Sequence, residues 1–308
     1  MIRVGVAGWD YPDWAGIVYP SPRPRRFDRL SYLSVFLDAV EVNVTFYRPI
    51  DPKTSRSWVT RVPSGSSFVF TAKLHQAFTH ARCIDRNPEA RTYLAGVDPL
   101  LRSGRLGAVL MQFPHAFHDR PDSRTHLSRV VEVLPGVPLV AEFRHRSWDN
   151  EGALAFLKDL GVGFCNIDQP ALGSTLPPTV HATSRIAYVR LHGRNAANWF
   201  AREGTRRDTP AARDTGSARY DYLYSMKELQ PWVERIRRLS GSAEEVFVIA
   251  NNHYRGKAPA NALMLKKALS GRRVQAPAGL IAAYPELAVA ADPLKPTARD
   301  APKQGRLF

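Results

Sequence analysis

Three carboxylates, three permanent cations and two imidazoles stand at or just past the ends of apolar runs in this chain. Glu41, Glu142 and Asp168 could activate water or hold a metal, while Lys73, Arg144 and Arg190 could clamp an anion. His192 and His253 titrate near neutrality and could carry a proton in either direction. Asn43, Gln112 and Asn251 end runs of the same kind, and Trp9, Tyr11, Trp148 and Trp199 offer flat faces on which a base could stack. Glu41, Glu142, Asp168 and His192 are the catalytic candidates; Trp9, Tyr11, Asn43, Lys73, Gln112, Arg144, Trp148, Arg190, Asn251 and His253 are the substrate-binding ones.

Eight apolar runs must position these groups: Ile2–Gly8, Ala39–Thr45, Phe68–Lys73, Ala108–Phe113, Leu139–Phe143, Val162–Ile167, Ile186–His192 and Val246–Asn251. Between most of them lie apolar residues at helical spacing, such as Leu154, Leu157 and Leu160, or Trp232, Val233, Ile236 and Leu239. Strand and helix repeated eight times predict a parallel sheet closed on itself, a single (β/α)8 TIM barrel over residues 1–271. Such barrels carry their reactive groups at the C-terminal rim, where these charged residues fall. Period-two alternation then sorts faces: Glu41, Asn43 and Thr45 inward from the second strand, Glu142 and Arg144 from the fifth, Arg190 and His192 from the seventh. For the last strand the inner face is ambiguous. A buried ion is costly unless paired, so a self-satisfied network that only orients the barrel is the competing reading.

The segment 194–223 after the seventh strand is polar and Arg-rich, too long for an ordinary connector, and reads as a lid or substrate-contacting loop. From Arg272 to Phe308 the Ala/Pro-rich composition predicts an extended, flexible tail.

A net charge of +15 points to anionic partners, a phosphorylated substrate or nucleic acid. Arg-rich surface usage unrelated to binding would produce the same number. No run of about 18 apolar residues predicts a membrane span, and no signal sequence opens the chain. Two distant cysteines, Cys83 and Cys165, read as reduced thiols, so a cytoplasmic protein is expected. Three acids and two imidazoles could hold a divalent metal, although no tight ligand spacing such as HExxH supports it. Glycine-rich nucleotide loops and a Gly-x-Ser-x-Gly elbow are both absent, so neither a nucleotide cofactor nor a serine hydrolase has a motif behind it.

Several short motifs run in order from Ile2 to Leu269: Gly8-Trp9-Asp10-Tyr11 with Trp14, Glu41-Val42-Asn43, Lys73 with Thr79-His80, Gln112-Phe113-Pro114, Glu142-Phe143-Arg144-His145 with Ser147-Trp148, Tyr188 to Arg194, and Asn251-Asn252. On these the chain resembles the YecE-like proteins (domain of unknown function 72), which implies a TIM barrel and supplies no settled reaction. Ala7 departs from the serine the family often carries before Gly-Trp.

Gln304, Leu307 and Phe308 look like the peptide by which bacterial replication and repair proteins dock on the DNA sliding clamp, although Gly305-Arg306 departs from the usual middle residues. Charge and tail together favour a metal-assisted hydrolase acting on nucleic acid or another phosphoester. An acid–base isomerase or lyase on a small anionic substrate, with Glu142 as base and His192 as acid, is the alternative. A non-catalytic ligand-binding protein is the third reading.

Overall fold

Runs of β-branched and aromatic residues such as Ile186–Leu191 form strands that are buried along their whole length. In the computed structural model, which describes residues 1–82, 87–199 and 219–294, eight of these strands close a parallel barrel in chain order. They are β1 (Ile2–Ala7), β2 (Ala39–Val42), β3 (Val69–Lys73), β4 (Leu106–Gln112), β5 (Leu139–Glu142), β6 (Gly163–Asp168), β7 (Ile186–Leu191) and β8 (Glu245–Ala250). The ladder closes where β8 pairs with β1, from Ile2↔Val246 to Val6↔Ala250. Parallel neighbours need crossovers, and helices such as Pro52–Arg61, Asn87–Arg102, Pro121–Glu132, Glu151–Asp159 and Met226–Ser242 supply them. Asn150 caps the fourth of these, and Ser225 with Glu228 forms a capping box on the last.

Phe247 settles the face of β8. Its ring packs 5.8 Å from the Tyr188 ring, and a Cβ on Gly107 of β4 would meet Phe247 Cζ at 2.3 Å. Only glycine lets that ring fill the lower barrel, so Phe247, Ile249 and Asn251 face inward.

Three sequence expectations change. β2 stops at Val42, and Asn43 opens a helical turn, Val44–Tyr47. Thr45 Oγ1 lies 2.9 Å from the Val42 carbonyl and 2.7 Å from the Lys73 carbonyl, so it ties the ends of β2 and β3 instead of facing the barrel as a strand residue.

The crossover from β6 to β7 carries no helix. Pro170, Gly173, Pro177 and Pro178 oppose one, and Asn166 holds the connection instead. Its Oδ1 accepts from Thr179 Oγ1 and from the His181 amide, both at 2.8 Å.

The third change is the tail. Residues 272–294 are not extended: β9 (Val274–Ala276) pairs with β10 (Ala291–Pro293), with the helix Ala278–Ala283 between them. Leu280 and Leu287 are fully buried, and Gly279 passes so close to the Gly16 carbonyl that a Cβ would lie 2.7 Å from it. Two leucines spaced for burial outweigh the Ala/Pro composition. The described fold therefore includes residues up to Leu294, and the clamp-like Gln304, Leu307 and Phe308 lie outside the described residues.

Candidate functional site

Strand alternation carries Glu41, Glu142, Tyr188 and Arg190 to the inside of the barrel, all at most 1% exposed. Arg190 is the hub. Its Nη2 donates to Glu41 Oε1 at 2.7 Å, and its Nη1 to Glu142 Oε2 at 2.6 Å and to Gln112 Oε1 at 3.3 Å. Tyr188 OH donates to Glu41 Oε2 at 3.0 Å and meets Thr71 Oγ1 at 2.8 Å. Two residues past the end of β5, Arg144 pairs through Nη2 with Glu142 Oε1 at 2.7 Å and donates through Nη1 to Gln169 Oε1 at 3.1 Å.

Burial opposes ionisation of Glu142, but the Arg144 and Arg190 guanidiniums and His192 overcome it and hold the carboxyl well below its usual range. Burial alone would lower Arg190, whereas Glu142 and Glu41 raise it well above the ordinary arginine value. Arg144 moves the other way. Burial lowers it, and repulsion from Arg219 and Arg190 adds to burial against the single favourable carboxylate of Glu142.

His192, 1% exposed, has Nδ1 3.0 Å from Asn251 Nδ2 and Nε2 3.4 Å from Glu142 Oε1. An amide nitrogen at Nδ1 makes that atom the acceptor, so the proton sits on Nε2 and faces the carboxylate. Burial, followed by Arg144, keeps the imidazole neutral, well below its ordinary value. Above this layer Trp199 receives two guanidiniums, Arg144 at 5.5 Å and Arg219 at 4.8 Å from its ring centroid. Lys73 lies 4.2 Å from the Phe46 ring, and burial, Lys73 and Arg144 together depress His80 beside it.

Next to this mouth, after β1 and β2, a cleft of about 580 Å³ opens between Trp9, Phe27, Trp58, Asn43, Arg29 and Arg61. Tyr11 forms its inner wall, stacked on His253 with ring centroids 4.3 Å apart, and its hydroxyl donates to the Ala7 carbonyl at 2.8 Å. Gly8 is required there: its φ is +73°, and a Cβ would lie 2.5 Å from the Tyr11 hydroxyl.

A family model described as "Protein of unknown function DUF72" matches residues 3–283. The chain belongs to the DUF72 family. It is 30% identical over 272 residues to UPF0759 protein YunF of Bacillus subtilis, covering 85% of this chain and 92% of that protein. Crystal structures of two DUF72 family proteins are similar to it. The one from Thermotoga maritima has a TM-score of 0.73 at 31% identity, over 88% of this chain and 99% of that one. The one from Enterococcus faecalis has a TM-score of 0.73 at 25% identity, over 88% and 96%.

Within this DUF72 barrel, Glu41, Lys73, Gln112, Glu142, Arg144, Arg190, His192 and Asn251 gather at the mouth, and Trp9, Tyr11, Asn43 and His253 line or adjoin the neighbouring cleft. Two candidates do not belong. Trp148 is fully buried outside the barrel, stacked 4.0 Å from Phe143, with Nε1 donating to the Phe117 carbonyl, so it is core and presents no stacking face. Asp168 also points outward, because Cys165 and Ile167 hold the inner face of β6. Its carboxylate accepts from Arg194 Nε and Nη2, Tyr224 OH and Trp232 Nε1, all at 2.6–2.8 Å. Four donors leave it no capacity for catalysis, and it instead ties the start of the 194–223 segment to Tyr224 just beyond its end.

Those engagements also bear on the expected metal. Arg190 occupies both interior carboxylates and Asp168 lies elsewhere, so among the described residues no group of three His, Cys, Asp or Glu could hold an ion. Sequence reasoning missed Tyr188, Thr71, Gln169, Arg219 and His80. Tyr188 was legible, two residues before Arg190 on the same strand face. Arg219 falls in the Arg-rich segment 194–223 read as substrate-contacting, but nothing in the spacing singles it out there.

No helix among the described residues is long and apolar enough to cross a membrane.

Proposed function

We propose that the barrel binds a phosphate-bearing ligand, a nucleotide or nucleic-acid phosphoester, at its C-terminal mouth. The observation that carries this reading is the pair of guanidiniums, Arg144 and Arg219: both lie against the Trp199 ring, and Arg219 adds to the repulsion that disfavours the charge on Arg144. A phosphate there would relieve that repulsion, and planar guanidiniums match phosphate oxygens well. Among the described residues the buried Arg190 Nε and Arg219 Nε have no hydrogen-bond partner.

Hydrolysis of the bound phosphoester is the proposed chemistry, with His192 as the group that moves the proton. Glu142 is poorly suited to act as base, since both its oxygens are paired with guanidiniums. The test is calorimetric titration with inorganic phosphate and ribose 5-phosphate, followed by a cleavage screen on labelled single-stranded DNA. Binding lost in Arg219→Ala, with cleavage lost in His192→Ala, supports the whole reading. Binding without cleavage by the unaltered protein would leave a non-catalytic binding protein, and no phosphate binding would end the proposal.

A separate proposal concerns the C-terminus: Gln304, Leu307 and Phe308 dock on the DNA sliding clamp. Pull-down with the clamp, beside a variant with all three changed to Ala, tests it. Equal capture of both proteins would refute it.

A further inference from the structure

The aromatic cleft after β1 and β2 is built from parts the phosphate reading does not use. Trp9 meets Trp58 edge-on at 5.3 Å, and Phe27 closes the far side. Arg29 Nη1 pairs with Asp10 and Arg61 Nε with Asp28, so both guanidiniums already have a carboxylate partner. Two polar atoms in the same wall have no partner despite being buried: Asn43 Oδ1, an acceptor, and Arg29 Nε, a donor. Such atoms cost stability unless something completes them, and both belong to residues that line this ring-walled space.

We propose that this cleft holds the heteroaromatic base of a nucleotide whose phosphate sits at the mouth. A base is a flat ring for Trp9 and Phe27, and its edge carries adjacent donors and acceptors for Asn43 and Arg29. Inorganic phosphate or a sugar phosphate offers no such ring. The two sites adjoin through Tyr11: it lines the cleft and stacks on His253, whose ring lies 4.7 Å from that of Tyr220, the residue after Arg219. The inference rests on the phosphate reading and adds the identity of the ligand.

Calorimetric titration with the four nucleoside 5′-monophosphates, ribose 5-phosphate and inorganic phosphate tests it. At least one mononucleotide is expected to bind about tenfold tighter than ribose 5-phosphate, the low end for stacking one base. Trp9→Ala and Asn43→Ala should bring nucleotide affinity down to that of the sugar phosphate, while far-UV circular dichroism and melting show that each variant is folded. Equal affinity for ribose 5-phosphate and every nucleotide would overturn the base site and leave the phosphate site standing. A nucleotide preference unaltered in both variants would also overturn it. Failure of all the ligands to bind would remove both readings together.

Discussion

Arg190 Nη1 donates to Glu142 Oε2 at 2.6 Å inside the barrel, with both side chains at most 1% exposed, and its other terminal nitrogen reaches Glu41. The mouth is therefore organised around a buried cation shared by two carboxylates. Removing that cation takes the guanidinium from Glu41 and leaves Glu142 with Arg144 alone, so Arg190→Met should cost about 3–5 kcal/mol of stability, the range for breaking a buried pair from one side. Urea unfolding followed by circular dichroism measures it. A loss below about 1 kcal/mol would show that the network is not held as described.

The pH dependence follows from His192 and Glu142, both of whose folded-state values are depressed. A depressed group stabilises fully above its ordinary value and loses that contribution as pH falls toward the folded one. Stability should therefore decline below about pH 6.5, where His192 and the similarly lowered His80, His126 and His145 ordinarily titrate, and decline again below about 4.5 through Glu142. Melting temperature against pH reads both steps. His192→Asn should shrink the first step and keep a second one, because Arg144 and Arg190 still hold Glu142 down.

Trp148 separates packing from binding. With its ring stacked on Phe117 and Phe143 and no exposed surface, Trp148→Ala should cost about 3–5 kcal/mol through the cavity it leaves. Ligand affinity of the folded variant should match that of the unaltered protein. A selective loss of affinity without loss of stability would return Trp148 to the site.

Asp168→Asn keeps the shape and removes the charge that Arg194, Tyr224 and Trp232 share. Hydrogen bonds to a charged partner predict a loss of at least about 2 kcal/mol. Hydrogen exchange should also quicken at the Gly193 amide, which donates to Tyr224 OH at 2.9 Å. Unchanged exchange there would mean that Asp168 does not tie the two ends of the segment together.

Eight apolar runs and a period of two were enough, in the sequence itself, to specify the barrel and to turn Glu41, Glu142, Arg190 and His192 inward, because alternation is a local property of extended backbone. What the tertiary structure decided is which groups meet. Asp168 ends its strand just as Glu142 does, yet Cys165 and Ile167 take the inner face of β6, so this carboxylate becomes an outer anchor. Trp148 and Trp9 are alike in composition; only packing buries one against Phe143 and leaves the other at a cleft. Arg29, Trp58 and Arg219 reach the site from outside the strands, by contacts between residues distant in sequence that no local spacing encodes.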